Sequence, residues 1–117
     1  MRALAWAALL LLAACGDKPQ APAPSQGDAA RGKIALTQYA CNACHMIPGV
    51  TGSEVFVGKP LSGLRRQQFI AGKLPMNEEN LIKWIVDPRG VDPMTAMPVL
   101  RVSEGDARDM AAYLLEQ

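Results

Sequence analysis

Histidine occurs once in these 117 residues, at His45. A site built from several imidazoles is therefore excluded, and a metal held by His45 needs other donors. Aromatic side chains make up only 5% of the chain, so few large groups are on hand to fill a core. Neither sign of charge dominates: 12 basic and 11 acidic side chains leave a net charge of +1. That balance offers no basic field for nucleic acid. No apolar run is long enough to cross a bilayer as a permanent helix; the longest, residues 3–14, stops at Cys15. No segment alternates apolar and polar residues over the length of a strand, and no internal repeat is visible.

What is present divides the chain into three parts. Residues 1–14 carry Arg2 and then an apolar run, the pattern of a secretory signal. The run ends in "LAAC", which resembles the lipobox of bacterial lipoproteins. That resemblance implies cleavage before Cys15 and a lipid on the new N-terminal cysteine; ordinary cleavage near Ala14 is the alternative. Residues 15–27 alternate proline with alanine and hold no larger aliphatic side chain, which predicts a disordered, extended tether. At about 3.1 Å per residue, a dozen residues reach on the order of 40 Å without fixing an orientation. Residues 28–117 form the folded domain. Once Arg2 is lost with the signal, 11 basic and 11 acidic side chains remain.

The domain reads as all-α, with three main helices. Asp28 caps the first, which runs to Tyr39 with Gly32, Leu36 and Tyr39 on one face. Gly32 inside a helix predicts close approach of another backbone. The second helix covers residues 78–87, capped by Asn77, with Leu81, Trp84 and Ile85 inward and Pro88 as its stop. The third covers residues 104–116 behind "SEGD", a capping box with Asp in place of Glu, and turns Ala107, Met110, Ala111 and Leu114 inward. A shorter helix over residues 64–71 is weakly signalled.

The chemistry concentrates in "CNACH", residues 41–45. A thiol–disulfide centre uses the same cysteine spacing but sits in a strand–helix unit, and no strand precedes it here. Structural zinc needs four ligands, and no second cluster completes a tetrahedron. Covalent haem fits best. A spacing of three puts Cys41 and Cys44 on one side of a helical turn, where their sulfurs form thioethers to one porphyrin edge. His45 follows directly and can reach the iron. A haem also supplies the apolar bulk that the core lacks.

With no second histidine, the other axial ligand is naturally a methionine thioether. Met46 adjoins His45, Met110 reads as core and Met76 precedes a helix cap. Met94 and Met97 remain, on a loop held by Pro93 and Pro98, and either one alternatively just fills a gap.

From Gly27 onward the chain resembles a class I monohaem cytochrome c. "GDAARGKIALTQYACNACH" is similar to that family's first helix and haem motif, "ENLIKWIVDP" to its tryptophan-bearing helix, "TAMP" to its methionine loop and "SEGDARDMAAYL" to its last helix. The resemblance implies a small cytochrome c fold wrapped around one haem c. It implies His45 and Met97 as axial ligands, with Met94 in reserve. It places Gly32 and Leu36 where the first helix crosses the last, against Tyr113 and Leu114. It also implies a haem-propionate contact from Trp84, for which plain core packing is the alternative, and one from Arg65 or Arg66. One departure stands out. Where the family has Gly-Pro before a leucine, this chain has "GKPL", so Lys59 occupies the place of a proline whose carbonyl accepts the proximal imidazole N–H.

The expected function is electron transfer, not catalysis, since a six-coordinate iron has no open position for substrate. Expected partners are redox proteins such as an oxidase, a bc-type complex or a dehydrogenase, met at the extracytoplasmic or periplasmic face of a membrane that holds the lipid on Cys15. The alternatives are a haem enzyme or gas sensor with a displaceable methionine, and a fixed cytochrome subunit of an oxidase or dehydrogenase.

Overall fold

The computed structural model describes residues 25–117. The expected export signal, Cys15 and most of the expected tether lie outside the described residues. Among the described residues, no helix is long and apolar enough to cross a membrane.

Helix α1 spans Ala29–Gln38. Asp28 caps it as expected, its Oδ1 accepting the Arg31 backbone N–H at 2.9 Å. The helix ends at Tyr39, and Ala40 takes the left-handed conformation with φ 56°. That reversal after a helix C-cap is usually given to glycine. It redirects the chain into a single 3-10 turn at Cys41–Ala43. An irregular stretch follows, in which Ile47, Val50 and Ser53 are buried. The Ser53 hydroxyl reaches the carbonyls of Val50 at 2.7 Å and Ile47 at 3.0 Å.

The expected helix over residues 64–71 does not form. A 3-10 turn occupies Leu64–Arg66, and strand β1 (Phe69–Ile70) pairs antiparallel with β2 (Leu74–Pro75). Leu64 and Ile70 are both buried. Six residues apart on a helix, they would point well away from each other; turn followed by strand lets both reach the core. The hairpin reverses through Ala71 and Gly72, both left-handed. This two-stranded ladder corrects the strand-free reading.

Helix α2 spans Glu78–Val86, with Asn77 Oδ1 accepting the Asn80 N–H at 2.8 Å. Pro88 ends it, and also opens a fourth helix that the sequence reading lacked, α3 at Pro88–Val91. Proline suits a first helical position because its missing N–H would go unpaired there. Asp87 caps this turn through Gly90 at 2.9 Å. Helix α4 spans Glu104–Glu116. Ser103 Oγ accepts the Asp106 N–H at 3.1 Å and donates back to Asp106 Oδ2 at 2.8 Å. The side chain of Asp is one methylene shorter than that of Glu, and its return bond goes to the hydroxyl.

The core is the crossing of α1 and α4, with α2 against α4. A Cβ on Gly32 would collide with the Asp109 carbonyl, and one on Gly27 with that of Arg108. The approach is as close as the glycine predicted, although Gly32 meets Asp109 and Met110 rather than Tyr113 and Leu114. Helix α4 is buried on more than the expected face: Asp109, Ala112, Tyr113 and Leu115 are buried too. Part of the reason lies in contacts from other segments. Tyr113 Oη donates to the Pro48 carbonyl at 2.6 Å, and Arg65 Nε to the Leu115 carbonyl at 3.0 Å.

The buried carboxylate of Asp109 is satisfied by α1. Arg31 donates from Nε at 2.7 Å and Nη2 at 3.1 Å, and the Asp28 N–H donates at 2.7 Å. The Arg31 side-chain bonds, helped by the Asp28 N–H, hold Asp109 below the ordinary aspartate range. A depressed folded pKa means that Asp109 stabilises the fold above its unfolded pKa of about 3.9, and that this is lost as pH falls through the folded value. Asp109→Asn is therefore expected to be less stable than the parent at neutral pH. Denaturant titrations at successively lower pH should show the gap closing below about pH 4.

Candidate haem-attachment site

Between the helices and the loops of residues 57–76 and 95–102 lies an apolar cleft of about 530 Å³. That is the size range of sites that hold a cofactor. Its walls include Leu36, Leu64, Leu81, Ile85, Val102 and Leu114. Cys41, Cys44 and His45 line it together. The 3-10 turn brings the two cysteines into register, because residues three apart eclipse in that geometry. Both thiols are free and half-buried. Burial, with Cys44 adding to it, pushes the Cys41 thiol up.

His45 is held from behind. Its Nδ1 lies 2.6 Å from the Lys59 carbonyl. A carbonyl only accepts, so Nδ1 carries the proton, and in the neutral ring Nε2 keeps the lone pair that a metal needs. The acceptor loop is pinned on both sides: Gly58 N–H donates to Cys44 O at 2.6 Å, and Leu61 N–H to Met46 O at 2.9 Å. Lysine in the place of proline thus leaves the acceptor where the imidazole requires it. Gly58 itself packs against the ring.

The methionines separate. Met97 is half-buried and lines the cleft, whereas Met94 is 90% exposed and does not. Met76 and Met110 also line the cleft, so it holds three thioethers. Met110, fully buried, is both core and wall. Trp84 lines the cleft and is half-buried. Arg65 and Arg66 are not among the lining residues; Arg65 is turned to α4 through the Leu115 carbonyl. Gln67 lines the cleft instead.

The sequence reading missed Thr95 and Gly58. Thr95 Oγ1 accepts the Met97 N–H at 3.2 Å, steadying the methionine loop. The "TAM" spacing carries that signal, since a threonine hydroxyl commonly turns back on the amide two residues on. Gly58 was legible only as the residue before the acceptor. Tyr39 also lines the cleft while its hydroxyl donates to Asp106 at 2.8 Å, tying the approach to Cys41 onto α4.

Thioether-forming sulfurs, an imidazole with its metal-binding nitrogen free and an apolar slot of this size fit a haem, and the domain is of the c-type haem class. Comparison with known proteins agrees. The family described as cytochrome c matches residues 29–117. The chain belongs to the cytochrome c family, which carries one covalent haem c and transfers electrons. The structure of cytochrome c2 from Rhodobacter sphaeroides is similar, with a TM-score of 0.58 and 22% identity, over 78% of this chain and 96% of that one. Cytochrome c oxidase subunit 2 of Alkalihalophilus pseudofirmus is 31% identical over 100 residues, 85% of this chain. The chain spans only 28% of that relative's length.

A methyl group at residue 58 would stand 2.5 Å from His45 Cε1 and 2.7 Å from Nδ1. Gly58→Ala should displace the ring, cost about 1–3 kcal/mol of stability and reduce haem incorporation. Gly105→Ala, whose Cβ meets nothing closer than 3.9 Å, is the matched control and should incorporate haem normally.

Proposed function

We propose that this chain is a membrane-tethered monohaem electron carrier with His45 and Met97 as axial ligands, shuttling electrons between respiratory or photosynthetic redox proteins. One observation carries the reading: Cys41, Cys44, His45 and Met97 line one cleft while Met94 stays outside it. The haem supplies an iron that changes oxidation state while keeping both ligands. The chain attaches it through two sulfurs, orients the imidazole through Lys59, surrounds the ring with aliphatic walls and keeps bulk water from its faces. Trp84 is suited to a propionate contact from its place on the wall.

The rim has a sign. Between Glu54 and Glu78 the chain carries Lys59, Arg65, Arg66 and Lys73 and no acidic residue. Of these four only Lys59 lines the cleft, where its positive charge suits a partner with an acidic docking surface. The lipid on Cys15 would hold the domain at the extracytoplasmic or periplasmic face of a membrane.

Replacing Met97 with alanine should abolish the methionine–iron charge-transfer band of the oxidised protein, lower the reduction potential and let carbon monoxide bind. Met94→Ala should leave all three unchanged. Loss of the band in Met76→Ala instead would move the ligand to that residue.

A second reading, a fixed cytochrome subunit of an oxidase, is favoured by the match to an oxidase subunit. Purification in mild detergent decides between them: a carrier separates from larger complexes, and a subunit stays with its oxidase. In the same membranes, Cys15→Ser should release the protein with its visible spectrum intact; continued binding would rule out the lipid as anchor.

A further inference from the structure

The proline of the "GKPL" loop stands one place later than in the family's pattern, and the acceptor carbonyl for His45 belongs to the residue before it. A carbonyl oxygen is carried by the peptide plane that joins its own residue to the next. That plane is rigid, and its direction is set by ψ of the residue before it and φ of the residue after it. Here those torsions are ψ of Lys59 and φ of Pro60. A proline ring holds its own φ near about −65°. Its Cδ also clashes with the preceding residue, pushing ψ there into the extended range. Pro60 therefore restrains both torsions of the one plane whose oxygen faces the imidazole. A proline at 59 would fix φ of residue 59, which orients the plane before the acceptor.

The surroundings fit this arrangement. The loop is fastened at Gly58 to Cys44 and at Leu61 to Met46, one bond on each side of the Lys59–Pro60 plane. Between those fastenings, the plane could still rotate if both its torsions were free. Lys59 and Pro60 are both exposed, so side-chain packing does little to hold it. Gly58 packs against the Cε1–Nδ1 edge of the ring, so the imidazole has little room to follow a carbonyl that turned away.

We infer that Pro60 is the positioning residue of the proximal histidine: by locking the Lys59–Pro60 peptide plane it keeps the Nδ1–H···O=C bond short. It thereby sets how strongly His45 donates to iron. The inference rests on the reading of His45 as an iron ligand. A hydrogen-bonded Nδ1–H makes the imidazole a more basic donor, which favours the ferric state. Loosening the plane should therefore raise the reduction potential.

The test uses the full haem-loaded protein, labelled with 15N and reduced. In the parent, the His45 Nδ1 proton should be strongly shifted upfield by the haem ring and slow to exchange with solvent. In Pro60→Ala, exchange should be about tenfold faster, the loss expected when a single hydrogen bond is weakened. The potential should rise in the same variant. Pro60→Val, whose β-branched side chain keeps the backbone extended, should fall between the two. Pro75→Ala, an exposed proline of β2 outside the cleft, should match the parent in both readouts. Parental exchange and potential in Pro60→Ala would overturn the inference, as would equal acceleration in Pro75→Ala. If Ala prevents folding, Val alone carries the comparison; if neither variant folds, Pro60 serves the fold and the inference fails. Absence of the upfield shift in the parent would instead remove His45 as the ligand.

Discussion

Everything else in this domain depends on how closely the first and last helices pass. Gly32 presents no Cβ at the crossing, and the Asp109 carbonyl occupies the space one would need. That approach buries Ala35 and Leu36 from one side and Ala107, Met110 and Ala111 from the other. Two carboxylates of α4 then grip α1: Asp109 takes Arg31 and the Asp28 N–H, and Asp106 takes the Tyr39 hydroxyl. Tyr39 is two residues before Cys41. The grip at the helix end therefore also sets where the attachment turn begins.

With that crossing made, the aliphatic side chains of α1, α2 and α4 line the cleft without filling it. The chain has too few aromatic groups to close a cleft of about 530 Å³. A haem does so with one rigid apolar disc. Because the haem is covalently part of the core, its contribution to stability cannot be separated from that of the packing around it. The same packing serves electron transfer, since a ring wedged between fixed walls has little to rearrange when the iron changes charge.

The histidine side of the cleft is organised mainly by backbone. A carbonyl, a glycine without a Cβ and two flanking amide bonds define where the imidazole stands. The acceptor at residue 59 is a backbone carbonyl, which is why lysine can occupy a place that the family gives to proline, while Gly58 and Pro60 on either side of it remain constrained. The methionine side is different, because its loop leans on the Thr95 hydroxyl and on prolines at either end.

Sequence by itself determined the features whose physics is complete within a few residues. Asp28, Asn77 and Ser103 cap the helices that follow them, because a cap needs only the amide three positions on. The Cys-Cys-His spacing specifies the attachment chemistry for the same reason. Gly32 announced a close approach, though not which carbonyl would meet it. Tertiary structure alone decided whatever joins distant segments. Asp109 finds Arg31 across 78 residues and Tyr39 finds Asp106 across 67, and no local pattern encodes either pair. The hairpin at residues 69–75 and the burial of α4 beyond its apolar face arise because neighbouring segments were there to pair with or to cover them. That neither Arg65 nor Arg66 lines the cleft was decided likewise, Arg65 being held by the Leu115 carbonyl near the end of α4.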